Sequence, residues 1–173
     1  MEEMKKSIVL IALFLYSIFS YCQKSICGVD FGSSYETAKS ILGHKFGQAE
    51  IDKDKEIWYF NRDYAGFNFS AIKFHFQSDG YNTYFNECVF CNKFNDVSLA
   101  KKFEKKLLAK LSEKYENMVS DIDDNGFLVV SGGVSPVSSG IYGFHVFVSK
   151  DDKEGEYIVF LGYGSYDYAN EEF

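Results

Sequence analysis

The sequence predicts an α+β domain: an antiparallel sheet with helices on one face, built as a duplicated α-β-β-β unit. Three observations predict it. Two segments place apolar residues at helical spacings, six short runs read as strands, and the order helix then three strands occurs twice. Composition agrees, because 18 Phe and 13 Tyr raise the aromatic share to 18%, and flat rings pack well across neighbouring strands.

The chain opens with Lys5 and Lys6, an apolar run from Ile8 to Phe19, and small residues at Ser20 and Cys22. Charge, apolar run and small residues in that order read as a secretory signal peptide. The run is shorter than the roughly 20 residues that cross a bilayer. We therefore expect a signal peptide at residues 1–22 and a single exported domain at 23–173, periplasmic, cell-surface or secreted, with no membrane span. Lipidation of Cys22 is the alternative, although Tyr21 before it is not the small residue that lipid transfer favours. The remaining chain of about 150 residues is long enough for one core.

Ser33 and Glu36 have capping-box spacing, Ala38, Ile41 and Leu42 form a short apolar stripe, and Gly47 is a natural stop. A helix over 34–46 follows. Glu56–Phe60 is the first strand, Asn61–Gly66 a turn, and Phe67–Gln77 the second strand. Ile72, Phe74 and Phe76 alternate with Lys73, His75 and Gln77, while Phe67 and Phe69 have the other parity, so a bulge belongs near Ser70-Ala71. Tyr84–Phe94 is the third strand. Asp96 then caps a helix whose apolar face is Ala100, Phe103, Leu107, Leu111 and Tyr115. Its lysines Lys101, Lys102, Lys105 and Lys106 read as a solvated face. Gly126–Ser131, Tyr142–Val148 and Glu156–Leu161 complete the strands.

The two pseudo-repeats run over about 33–95 and 96–163, and Lys73-Phe74-His75-Phe76 has a counterpart in Gly143-Phe144-His145-Val146. The phrase from Val29 to Lys39 and on to Leu42-Gly43 sets a glycine, a Ser/Thr cap and an acidic residue before Leu-Gly. In this the chain resembles the β-lactamase-inhibitor-protein-like fold class and its related small outer-membrane-assembly lipoproteins, although no proline follows Leu42-Gly43. The resemblance implies tandem helix-plus-antiparallel-strand units and protein binding rather than catalysis. It carries no functional residue onto this chain.

Cys27, Cys88 and Cys91 lie beyond the signal segment. Cys88 and Cys91 are spaced as CxxC, but residues three apart on a strand point to opposite faces, about 10 Å apart. They read as ordinary buried thiols, with a bridge from Cys27 to one of the other two as the alternative. Nothing in the sequence has metal-ligand or cofactor-binding spacing. Lys+Arg number 18 against 25 Asp+Glu, a formal charge of −7, which argues against nucleic acid. Asp121–Gly126 faintly resembles a calcium loop but lacks its final glutamate, and a turn is the simpler reading.

No histidine stands in a hydrolase motif, so no catalytic residue is assigned. His75 and His145 occupy corresponding strands and point away from the core if their Phe neighbours point inward, where they would share a metal or a carboxylate, or simply meet solvent. A sheet with helices on one face leaves the other open. Trp58, Tyr59, Tyr84, Tyr142 and Tyr157 are amphipathic rings suited to line it, with His75 and His145. The expectation is a non-catalytic protein-binding or assembly module. A carbohydrate-binding module, or a hydrolase with an acid/His site, is the alternative.

Overall fold

The computed structural model describes residues 24–53, 55–78, 80–135 and 143–164. The expected signal segment at 1–22, with Cys22, and also Tyr142 and the chain beyond Gly164 lie outside these residues. The fold is α+β. A small hairpin, β1 (Ser25–Ile26) and β2 (Val29–Asp30), leads into helix α1 (Tyr35–Phe46) and strands β3 (Ile51–Lys53), β4 (Glu56–Tyr64), β5 (Phe67–Ser78) and β6 (Thr83–Phe94). Helix α2 (Val97–Ser112) then precedes β7 (Val119–Ile122), β8 (Leu128–Gly132), β9 (Phe144–Asp151) and β10 (Glu156–Gly164). β3 to β10 form one eight-stranded antiparallel sheet in the order β3-β4-β5-β6-β10-β9-β8-β7.

Each helix is thus followed by a four-strand meander, and the two meanders join through their last strands. The expected three strands per unit become four, because β3 and β7 each add an edge strand. Neither has an alternating pattern to announce it: β7 is exposed along its whole length, and β3 has only three residues. The joining seam runs from Tyr157↔Phe94 to Gly164↔Glu87. At its end the backbones approach so closely that a Cβ on Gly164 would lie 2.0 Å from the Asn86 carbonyl oxygen, and φ there is +115°. Only glycine fits that crossing.

α1 starts where a side chain replaces a missing backbone partner. The N-cap is Ser34, one residue beyond the expected Ser33, and its Oγ accepts from the Thr37 N–H at 3.3 Å. Gly47 closes it with φ +85°. Ala38 and Leu42 are buried, Phe46 packs 5.1 Å from Tyr59, and Lys39 pairs with Asp52 of β3 at 2.6 Å. α2 is capped by Asp96, which accepts from Ser98 and Leu99 N–H. Its inner face is Ala100, Leu107 and Leu111, while Phe103 wedges among Phe67, Phe69 and Phe94.

Both helices cover one sheet face. Ile57, Tyr59, Ile72, Phe74, Phe85, Cys88, Phe90, Val146, Val159 and Leu161 meet them in one continuous core. At about 25 cal/mol per Å² of apolar surface, rings of this size dominate the favourable side of folding. The β4–β5 hairpin runs further than expected, since Tyr64 and Phe67 still pair and the turn is Ala65-Gly66, both at positive φ. The parity changes near Ser70, but the bulge expected there does not form: Phe60↔Ala71 and Arg62↔Phe69 keep one register, Asn61 opposite Ser70 has φ 51° and drops out of the ladder, and Phe69 reaches the core beside Phe90, 4.9 Å between rings. A separate register shift lies between His75 and Phe76.

One polar group sits in the helix–sheet layer without compensation. Glu104 of α2 is 6% exposed, and among the described residues its Oε1 has no hydrogen-bond donor. Burial pushes its carboxyl up. A raised folded value favours the fold below the ordinary glutamate range and works against it as pH rises through that value. Glu104→Met is therefore expected to stabilise the protein by roughly 1–2 kcal/mol at pH 7, with the gain vanishing near pH 4. Thermal unfolding by circular dichroism at both pH values checks this.

Candidate functional site

Among the described residues, no helix or strand packs on the sheet face opposite the helices. Strand alternation decides what lies there, since each residue beside a core residue points away from the core. Following the register across the sheet, Phe60 faces Ala71, Ala71 faces Cys91, Cys91 faces Phe160, Phe160 faces Phe147, and Phe147 faces Val129. Opposed residues share a face. Six apolar side chains therefore make one row across β4, β5, β6, β10, β9 and β8, roughly 24 Å long at sheet spacing. Phe147 and Phe160 stack at 4.9 Å and 19°, and Trp58 adds a ring 6.0 Å from Phe60.

A polar row runs beside it. Trp58 faces Lys73, Lys73 faces Val89, Val89 faces Gly162, Gly162 faces His145, and His145 faces Ser131. At its β4 end, Glu56 accepts from the Trp58 indole at 2.8 Å and pairs with Lys73 at 2.7 Å. Burial pushes the Glu56 carboxyl up, but the Lys73 ammonium and the Trp58 N–H outweigh this and hold it below its ordinary range. The Lys73 ammonium also lies 5.4 Å from the Trp58 ring centre. Lys93, on the same face, is held by Glu154 and Glu156 at 3.0 Å each.

At the β9 end, His145 Nδ1 lies 2.7 Å from Ser131 Oγ, and both residues are 8% exposed. They form the wall of a shallow depression of about 550 Å³ shared with Val119, Asp121, Asp123 and Val129. A second depression of about 410 Å³ lies on the other side of the Phe147–Phe160 stack, lined by Ile158, Phe160 and the β9–β10 turn. Volumes of this size accommodate side chains or small ligands. β7 forms the rim, with Val119 47% and Ile122 60% exposed. Asp123 closes its turn by accepting from Asn125 and Phe127 N–H, so the acidic run acts as a turn.

The predicted site residues separate into two groups. Trp58, His75, Tyr84 and His145 lie on the open face by alternation with buried neighbours. Tyr59 and Tyr157 do not: Tyr59 is 1% exposed under Phe46, and Tyr157 packs against Phe127 on the helix side. Their hydroxyls gave the impression of surface rings, but parity with Ile57 and Val159 places them inward. Tyr142 lies outside the described residues. His75 and His145 share the face without sharing a site, because β6 and β10 separate their strands by about 14 Å. His75 instead lies 3.5 Å from Glu56. Among the described residues, no cluster of His, Cys, Asp and Glu has metal-site geometry. Phe60, Phe147, Phe160 and Val129 escaped sequence reasoning because apolar residues read as core. Their parity, one step from each core residue, is the signal that finds them.

Burial pushes the His145 imidazole down. The unfolded chain then takes a proton on this residue before the folded one does. Its contribution to stability is present above about pH 6.5 and is lost as pH falls through the lower folded value. His145→Gln is expected to flatten the decline in thermal midpoint between pH 7.5 and 5.5, as measured by calorimetry.

No family model, curated protein or solved structure matches this chain.

Proposed function

We propose that this protein is a non-catalytic binding or assembly module, acting outside the cytoplasm after loss of residues 1–22, that holds a partner protein on the open sheet face. The observation that carries the reading is the cross-strand apolar row from Phe60 to Val129. The row consists of Phe, Ala, Cys and Val, which offer area and few hydrogen bonds, so it suits an apolar protein segment better than a sugar. Charge narrows the partner further. Lys73 and Lys93 are already paired, Asp121 and Asp123 stand at the rim, and the chain carries a formal charge of −7. The partner is an apolar segment flanked by Lys or Arg. The two helix-plus-meander halves are read as copies of one ancestral unit, in keeping with the inhibitor-like fold class that the sequence resembles.

Trp58 is the sole tryptophan and sits on this face, so its fluorescence reports occupancy directly. The probes are tryptophan-free peptides alternating Phe with Lys, or Phe with Glu. The Phe–Lys peptide is expected to shift Trp58 emission to the blue and to bind the Phe147→Ser/Phe160→Ser variant at least about tenfold more weakly, as loss of a central anchor does. Equal affinity for wild type and variant, or preference for the Phe–Glu peptide, rejects the reading.

One observation favours a second reading. Ser131 and His145 are in hydrogen-bond contact beside two carboxylates, the residue types of an acyl-transfer enzyme. A fluorophosphonate probe decides: labelling of the wild type that disappears in Ser131→Ala establishes a nucleophilic serine and replaces the binding module with a hydrolase. The binding reading expects no labelling at Ser131.

A further inference from the structure

Cys27 occupies a position where cysteine is a costly choice. It and Gly28 form the turn of the β1–β2 hairpin with φ +56° and +88°, the left-handed pair that Asn-Gly or Gly-Gly adopts most readily. A cysteine there accepts backbone strain that Asn or Gly avoids. What the turn achieves is direction: the Cys27 side chain enters the core and is 3% exposed. There it joins Cys88 of central strand β6, 0% exposed, in the same buried cluster, close enough for the two thiols to influence each other. The surrounding segments are fixed on the same strand. Phe31 stacks on Phe85 at 4.9 Å, Gly32 N–H donates to Phe85 O at 2.8 Å, and Phe85 N–H donates to Ser33 O at 2.8 Å. Cys91 is excluded from this meeting, since it stands on the opposite sheet face in the row between Ala71 and Phe160.

We propose that Cys27 and Cys88 form a disulfide when the chain folds in an oxidising compartment, covalently fastening the N-terminal hairpin to the centre of the sheet. The oxidant is a disulfide such as oxidised glutathione. One cysteine thiolate attacks a glutathione sulfur, a mixed disulfide forms and one glutathione thiolate leaves. The second cysteine thiolate attacks the protein-bound sulfur and expels the other glutathione. The two cysteines lose two electrons and two protons, and the oxidant ends as two glutathione thiols. Burial keeps the oxidant from the folded pair, and burial also pushes the Cys88 thiol up, which lowers its reactivity. The reaction therefore belongs to folding, or to opening of a hairpin whose strands are two residues each. The bond closes a long loop, from the β1–β2 turn across β2, α1, β3, β4 and β5 to β6, the case in which a crosslink restricts the unfolded chain most. The proposal is independent of what binds the open face.

The test is oxidative refolding. Reduced full-length chain is unfolded, diluted into a glutathione redox buffer, alkylated in denaturant and mapped by mass spectrometry. Chain recovered from a bacterial periplasm is alkylated and mapped in parallel, so the answer does not depend on refolding yield. The expected product is a peptide pair linked through Cys27 and Cys88, with Cys91 alkylated, and the same pair in Cys91→Ser. Reductant is expected to lower the thermal midpoint of the oxidised wild type by roughly 10 °C and to leave Cys27→Ala/Cys88→Ala unmoved. Recovery of Cys27 and Cys88 as alkylated thiols from both preparations overturns the proposal, as does a bridge from either one to Cys91.

Discussion

The antiparallel pairing of β6 with β10 is the constraint on which everything else rests. Without it, each meander would expose a long inner strand whose backbone groups had no partner. With it, the two helix-plus-strand halves share one sheet, and both helices pack over a single core. The pairing is close enough at Gly164 to demand glycine. It also puts Phe90 opposite Leu161 and Cys88 opposite Tyr163, so buried side chains pair directly across the seam.

The seam determines both faces at once. Pairs such as Phe90↔Leu161 face the helices, and one step along the strands the pair Cys91↔Phe160 faces away. A shift of one residue would exchange the two sets and bury the wrong one. The apolar row on the far face is therefore continuous only because both meanders arrive in matching phase. Its rings belong to different halves of the chain: Trp58 and Phe60 come from the first, Phe147 and Phe160 from the second. An apolar row of this kind is a property of the joined sheet, and neither half holds it alone.

Polar groups near the core mark where stability has been surrendered. Glu104 lies on the buried face of α2 among Ala100, Leu107 and Leu111. His145 Nδ1 and Ser131 Oγ are in hydrogen-bond contact on the opposite face, at the wall of the larger depression. The contrast is informative. A hydrogen-bonded Ser–His contact beside a depression is compatible with a site, whereas a buried carboxylate oxygen without a donor in a helix–sheet layer weakens the fold. The thiol pair Cys27–Cys88 belongs to a third kind, apolar enough to be buried and chemically able to become a bond.

The α+β class, both helices, the stop at Gly47, the cap at Asp96 and the parity break near Ser70 were legible in the residues, because each depends on neighbours a few positions apart. β3 and β7 were not, since short edge strands gain their form from a partner strand and carry little pattern of their own. Of the candidate face, His75 and His145 were expected from alternation and Trp58 and Tyr84 from their amphipathic rings, while Tyr59 and Tyr157 went to the other side and Phe147 and Phe160 were overlooked. By itself, then, the sequence determined the local periodicities, and with them which residues alternate. Which strand lies beside which, which of two alternating sets meets the helices, and which cysteines meet were decided only by tertiary structure, because those outcomes depend on pairing between residues far apart in the chain.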